Sequence, residues 1–315
     1  MTRAPTLRAA RVRVPASTSN LGAGFDCVGL ALGRYLAAAF SPGDDDTLRL
    51  ERLGTLKAFA GRPDGEDLFV RAFRTGLAAH GVTLRGGTLT LDSEIPIARG
   101  LGSSAAAVVG GLALAAAVVG APLERAPAFA AALEWESHLD NVAPALMGGL
   151  VAVTHDDAGV PKALRLPLAA TIGFAYAAPG TGLETTRARA ALPRTVPFAD
   201  AVHNVGAMAA LAAGLATGDP ELIALGLSDR LHVQYRLPLI PGASDAFAAA
   251  RRAGAWGVTI SGAGSGVIAL APTDRTGEIA DAMARAFRGA VGGEGGVCFA
   301  VEPDRTGVRT PENPA

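Results

Sequence analysis

The chain has 315 residues, half of them hydrophobic and 18% charged, so it can bury a sizeable core and is too apolar to stay disordered. Its 28 basic and 29 acidic residues leave a net charge of −1, which excludes the basic footprint of a general nucleic-acid binder and any like-charged tail that would hold a membrane surface. The isolated Cys27 and Cys298 exclude a disulfide framework and a thiolate zinc site, and no HExxH accompanies the five histidines.

Met1 to Arg13 alternates arginine with small residues and contains no continuous apolar stretch. No signal peptide is expected, and the cytoplasm is the expected compartment. Ala10, Val12 and Val14 alternate with Arg11 and Arg13 as a half-buried strand does, and Pro15 is expected to end it. Leu48 and Leu50 predict a second strand, and Leu68 to Leu77 recur at helical spacing up to Gly81. A strand from Leu89 to Ile97 leads into a long apolar helix from Ser104. Gly100–Leu123 carries no charge and is long enough to span a bilayer, but Gly, Ala, Ser and Val insert weakly. A buried helix, without a membrane partner, is the better reading.

The pattern restarts after residues 155–161. Strands are expected at Ile172–Tyr176, Val258–Ile260 and Val267–Leu270. Helices are expected at Asp200–Ala216, at Asp219–Tyr235 with Asp219 as cap, and around Ile279, Met283 and Phe287. Strands and helices mix without strict alternation, which predicts an α+β fold rather than a doubly wound sheet. The break divides residues 1–160 from 161–303 and leaves 304–315 as a flexible tail.

The strongest local signal is Pro96-Ile97-Ala98-Arg99-Gly100-Leu101-Gly102-Ser103-Ser104-Ala105-Ala106, set between a strand and a helix. Its glycines allow close backbone approach, and the N–H groups at a helix start can cradle phosphate. The bland alternative is a serine-capped turn. The run is neither GxxxxGK[ST] nor GxGxxG, and its serines lack the frame of a GxSxG nucleophile. Two more glycine loops, Ser17–Asp26 and Ser261–Gly266, each read alone as turns. Three in one chain point to a site.

Together these segments resemble the GHMP kinases, named for galactokinase, homoserine kinase, mevalonate kinase and phosphomevalonate kinase. The resemblance is carried by Val14–Asp26, Pro96–Ala106, His138–Ala145 with Gly148-Gly149, and Ile260–Gly264, and it is closest to the homoserine branch. It spans roughly Ala10 to Ala300, through Thr185, Arg189 and His232…Tyr235-Arg236. It implies a two-domain GHMP fold with a ribosomal-protein-S5-like N-terminal half and a ferredoxin-like C-terminal half. It also implies ATP and Mg²⁺, L-homoserine as acceptor, and a homodimer as a common assembly.

By this resemblance the backbone of Pro96–Ala106 holds the triphosphate, with Ser104 and Glu134 on the metal and Glu136 as the alternative carboxylate. Arg189 and Arg236 take the substrate carboxylate, a task suited to guanidinium forks. Asp26 takes the ammonium, Asn20, His138 and Gly262 lie beside the amino acid, and Thr185 stands close to the transferred phosphate. Asp140 and Asn141 occupy the position of the catalytic aspartate, with Asp140 either a general base or only a substrate-positioning group. Departures are Ser265 in the third loop and Glu66-Asp67 where an asparagine commonly precedes Leu68. The lysine of mevalonate-type members is missing, because Lys57 and Lys162 fit neither motif. The alternatives are a kinase for another small hydroxylated metabolite and a nonenzymatic ATP-sensing protein.

Overall fold

A computed structural model describes residues 7–291 and 296–310. In chain order the N-terminal half contains β1 (Ala10–Ser19), β2 (Val28–Pro42), β3 (Leu48–Gly54), α1 (Leu68–Ala79), β4 (Gly87–Ser93), α2 (Ser103–Val119), α3 (Arg125–Ala132), α4 (Leu139–Met147), β5 (Leu150–His155) and β6 (Pro161–Leu166). The C-terminal half contains β7 (Ile172–Ala178), α5 (Thr185–Ala190), α6 (Phe198–Thr217), α7 (Pro220–Gly226), α8 (Val233–Arg236), α9 (Ala243–Arg252), β8 (Gly257–Ile260), β9 (Val267–Pro272), α10 (Thr276–Val291) and β10 (Val297–Val301).

The first sheet has the order β3-β4-β2-β5-β6, with β1 also paired to β2, and only β3–β4 is parallel. Pro15 does not end β1. The strand runs on to Ser19 through a register shift between Pro15 and Ala16, which absorbs the missing N–H. The α+β expectation holds, and the first sheet extends past residue 160. Leu150–His155 pairs with Pro161–Leu166 through the 156–160 turn, so β6, which follows the break seen in the sequence, belongs to the first sheet.

The helix starting at Ser103 is a core element. Nearly all of it is buried, and its centre is small because α1 lies against it. A Cβ on Gly111 would stand 2.6 Å from the Phe69 carbonyl oxygen and 2.7 Å from the Phe73 nitrogen. Both phenylalanine rings are buried there, each contributing about 1.5–3 kcal/mol. Among the described residues, the helix long and apolar enough to cross a membrane by length and composition is instead Phe198–Thr217. It packs on α7, with Phe198, Val202 and Val205 exposed.

The second sheet has the order β10-β7-β9-β8. Alternation along β7 joins the two halves. Ala175 and Ala177 meet Phe247, Met283 and Phe287 of α9 and α10, whereas Phe174 and Tyr176 face the core of the first half. A strand buried on both faces reads as a continuous apolar run, as Ile172–Ala178 does. The expected Asp219–Tyr235 helix is broken. The Asp229 carboxylate accepts the N–H groups of Leu231, His232 and Val233, and this tight turn stops α7 and restarts the chain as α8.

Residues 304–310 are not a flexible tail. Arg309 exchanges both backbone hydrogen bonds with Arg13, at 2.8 and 3.0 Å, and Asp304 accepts the N–H groups of Thr306 and Gly307 at 2.8 and 2.7 Å. Val308 is buried. Residues 311–315 lie outside the described residues.

Candidate active site

The three glycine loops converge at the seam between the halves. Gly262 N–H donates to the Ser19 carbonyl, the Ser261 hydroxyl donates to Gly100 O at 2.7 Å, and Thr18 and Ser261 share a hydroxyl pair at 2.9 Å. Gly100 must be glycine here. Its φ is +72°, and a Cβ would fall 1.8 Å from the Ser261 carbonyl oxygen. Gly102 heads α2 in the left-handed region, and no side chain caps that end. The first N–H groups of α2 have no partner within the helix and are available to an anion.

The cleft is lined by Ala98, Gly100, Leu101, Gly102, Ser103, Ser104 and Ala105 on one side, and by Asn20, Glu136, His138, Asn141, Thr185, Arg189, Arg236 and Gly262 on the other. Of the expected phosphate-loop residues, Pro96, Ile97, Arg99 and Ala106 stand off this lining. The Arg99 side chain is directed elsewhere, donating to the carbonyls of Ile97, Pro179 and Gly180 and so tying the phosphate loop to the segment before α5. Asp67 caps α1 and pairs with Arg52 at 3.1 Å, which occupies the carboxylate that stands in for asparagine.

The two candidate metal carboxylates separate cleanly. Glu134 is exposed and off the lining of the cleft, so the structure does not bring it together with Ser104. Its neighbour Glu136 turns inward, where Oε2 accepts the Ser104 hydroxyl at 2.6 Å and Oε1 meets His138 Nδ1. Burial raises the Glu136 pKa, but the bonds from His138 and Ser104 outweigh it and hold the carboxyl below its ordinary value. His138 is raised in turn, chiefly by that bond to Glu136.

Elsewhere in the lining, Asn20 Nδ2 donates to Gly262 O at 2.9 Å, and Asn20 Oδ1 accepts the Asp26 N–H at 2.8 Å. Both residues have positive φ, at 58° and 53°. The Asn141 amide is held by Ser17 and Ser19, at 3.1 and 2.9 Å. Asp26 and Asp140 lie in an adjoining cavity that shares His138 and Arg189 with the cleft. Arg189 reaches across and binds Asp26 through both guanidinium nitrogens. Asp140 is 2% exposed, and its Oδ2 has no partner among the described residues. Burial first, then the charge of Asp26, raise it to about 6.

Arg236 is 1% exposed, and its recorded partners are the carbonyls of Ala188 and Gly262, at 3.3 and 3.4 Å. Burial, and secondly Arg189, lower it to about 10, so it remains a cation. A desolvated guanidinium that pairs with carbonyls and with no carboxylate among the described residues is ready for an anionic ligand. Sequence reasoning missed the ring beside it: Phe25 lies 5.1 Å from the Arg236 guanidinium and stacks on His232. Both residues fall inside the quoted motifs, but nothing in their spacing couples one to the other.

Residues 67–149 match the description "GHMP kinases N terminal domain", and residues 207–289 match "GHMP kinases C terminal". The chain belongs to the GHMP kinases, enzymes that phosphorylate small molecules with ATP. Among curated proteins it is similar to the homoserine kinase of Gloeobacter violaceus, 44% identical over 277 residues that cover 87% of this chain and 91% of that one. The homoserine kinase of Moorella thermoacetica is 43% identical over 282 residues, covering 88% and 92%. Among solved structures, homoserine kinase from Cytophaga hutchinsonii superposes with a TM-score of 0.85 at 27% identity, over 98% of both chains. The mevalonate kinase of L. major, at 14% identity and a TM-score of 0.68 over 96% and 98%, shares the fold.

Proposed function

We infer that the chain is a homoserine kinase, which transfers the γ-phosphoryl group of ATP to the hydroxyl of L-homoserine and yields ADP and O-phospho-L-homoserine on the route to threonine. The observation that carries this reading is Arg236. A buried guanidinium opposite the phosphate loop calls for an acceptor bearing a carboxylate, and a neutral sugar would leave it unpaired, at about 1–3 kcal/mol or more. The relatives at 40–44% identity bear the same name.

The roles follow from this reading. The N–H groups of Gly100–Ser104 hold the triphosphate. Arg236 and Arg189 take the substrate carboxylate, and Asp26 takes the ammonium. The zwitterion exchanges the Arg189–Asp26 pair for one partner of its own at each end. Asn20, Gly262 and His138 position the amino acid, and Thr185 and Asn141 face the transferred group. Phosphoryl transfer needs positioning and charge neutralisation more than covalent chemistry. Asp140 stands in the adjoining cavity beside the acceptor residues, where it positions substrate; Asn141 faces the phosphate loop.

Ser104 and Glu136 fit a magnesium ion, since a hydroxyl and a carboxylate meet at the start of α2 and magnesium needs only one or two protein ligands beside phosphate and water. When bound, the ion supplies positive charge to the phosphates. The same reading carries a homodimer and a cytoplasmic location, without nucleic-acid or membrane partners.

The test is ADP release by purified protein with Mg-ATP, comparing L-homoserine with L-serine, L-threonine, mevalonate and galactose. Turnover confined to L-homoserine is expected. Turnover with another acceptor would reassign the substrate, and ATP binding without acceptor-dependent turnover would point to a nucleotide sensor.

A further inference from the structure

The 22–26 loop of the N-terminal half meets the start of α8 in the C-terminal half through an aromatic stack and a hydrogen bond. The rings of Phe25 and His232 stack at 4.9 Å between centroids and 20° between planes. His232 is wholly buried, and its Nε2–H donates to the Gly22 carbonyl at 3.1 Å, at the start of the same loop. Its Nδ1 has no partner among the described residues, so the imidazole acts here as one donor and one ring face rather than as a proton relay. Arg236 stands one helical turn after His232 and donates its N–H to the His232 carbonyl at 3.1 Å. The guanidinium carbons of Arg236 and Arg189 lie 5.1 and 5.4 Å from the Phe25 centroid. A ring at that range attracts both cations and separates them without adding charge.

We propose that Phe25 and His232 are positioning residues for the acceptor: their stack pins the loop that carries Asp26 onto α8 and so fixes the separation between Asp26 and Arg236. This rests on the reading above, in which those two groups take the ammonium and carboxylate of one amino acid. Asp26 follows Phe25 directly, and Arg236 lies one turn after His232, so this contact references both ends of the acceptor, alongside the Arg189 pair and the Asn20 bond that also hold Asp26. The phosphate loop is secured separately, through Ser261 and Gly100. A loosened stack therefore disturbs the acceptor and spares the nucleotide.

A second feature suits the role. Burial, with Arg236 adding to it against the pull of Asp229, lowers His232 to about 4, so the imidazole stays neutral beside two arginines. The groups facing it are Asp229, Arg236 and, more distantly, Asp26. A cation at position 232 would place a third positive charge in the same small volume.

The test is steady-state kinetics of the full chain and of the variants His232→Ala, His232→Gln, Phe25→Leu and Phe25→Tyr, with both KM values and kcat measured. His232→Ala and Phe25→Leu are expected to raise KM for L-homoserine about 10-fold while KM for ATP stays within about 2-fold. Phe25→Tyr, which keeps the ring, is expected to recover most of that loss, and His232→Gln, whose amide can still donate to Gly22 but cannot stack, is expected to recover only part of it. Equal rises in both KM values, or no recovery in the conservative variants, would reduce the pair to general structural support and overturn the proposal. Phe25→Leu keeps an apolar side chain, so it decides the matter even where His232→Ala fails to fold; an unchanged KM for L-homoserine in Phe25→Leu overturns the role. Absence of turnover with L-homoserine in the unaltered chain overturns the acceptor reading and the positioning role with it.

Discussion

The two ends of the cleft are made of different material. The phosphate end is backbone: left-handed glycines, an uncapped helix start and a hydroxyl, contributed mainly by one contiguous run. The end proposed for the acceptor is side chain: Asp26, His138, Arg189 and Arg236 come from four separate segments. A backbone site depends on space and is broken by sterics. A side-chain site depends on charge pairing and is broken by deleting partners. The halves of the cleft should therefore fail in different ways.

The largest effect is expected at Gly100. A methyl group 1.8 Å from the Ser261 carbonyl cannot be placed without moving backbone, so Gly100→Ala should lower kcat/KM by about 100-fold or more for both substrates and reduce Tm. Kinetics with thermal denaturation check this. Arg236→Ala should act at one end only, raising KM for L-homoserine by about 10–100-fold, as expected for a lost charge-assisted contact, with KM for ATP nearly unchanged. Equal, small changes would remove Arg236 from the acceptor site.

A smaller effect is expected at the carboxylate proposed for the metal. Glu136→Gln should raise the magnesium concentration needed for half-maximal rate by about 10-fold, and Glu134→Gln, on an exposed side chain, should leave it unaltered. A magnesium titration of both variants separates them. The smallest effect is on pH. Asp140 is raised to about 6 and is ionised only above that value, so a role as an anion predicts that activity is lost as pH falls through 6. Asp140→Asn should remove that acid limb from the rate profile. A limb that persists in the variant belongs to another group.

This contrast also explains what was legible in the sequence. The phosphate loop could be read because its parts are neighbours and glycine at those positions has a steric meaning. The β7 run and the Ile279–Met283–Phe287 stripe were legible for the same local reason. Arg189 and Arg236 stood out from 26 arginines only through family resemblance, since a surface ion pair would have the same sequence appearance. Glu134 and Glu136 differ by two positions, and which one faces Ser104 depends on the chain path between α3 and α4. The Asp229 turn was missed because its signal is a side chain accepting backbone N–H groups, which interrupts an otherwise helical pattern.

The return of Arg309 to Arg13 closes a circuit: the chain leaves from the first sheet, builds the second, and comes back at residues 304–310 to lie beside its own first strand. The two halves consequently cannot be parted by one cut. A break in the exposed 156–160 turn would leave the N-terminal fragment without the segment that covers β1, while the other fragment carried that segment away.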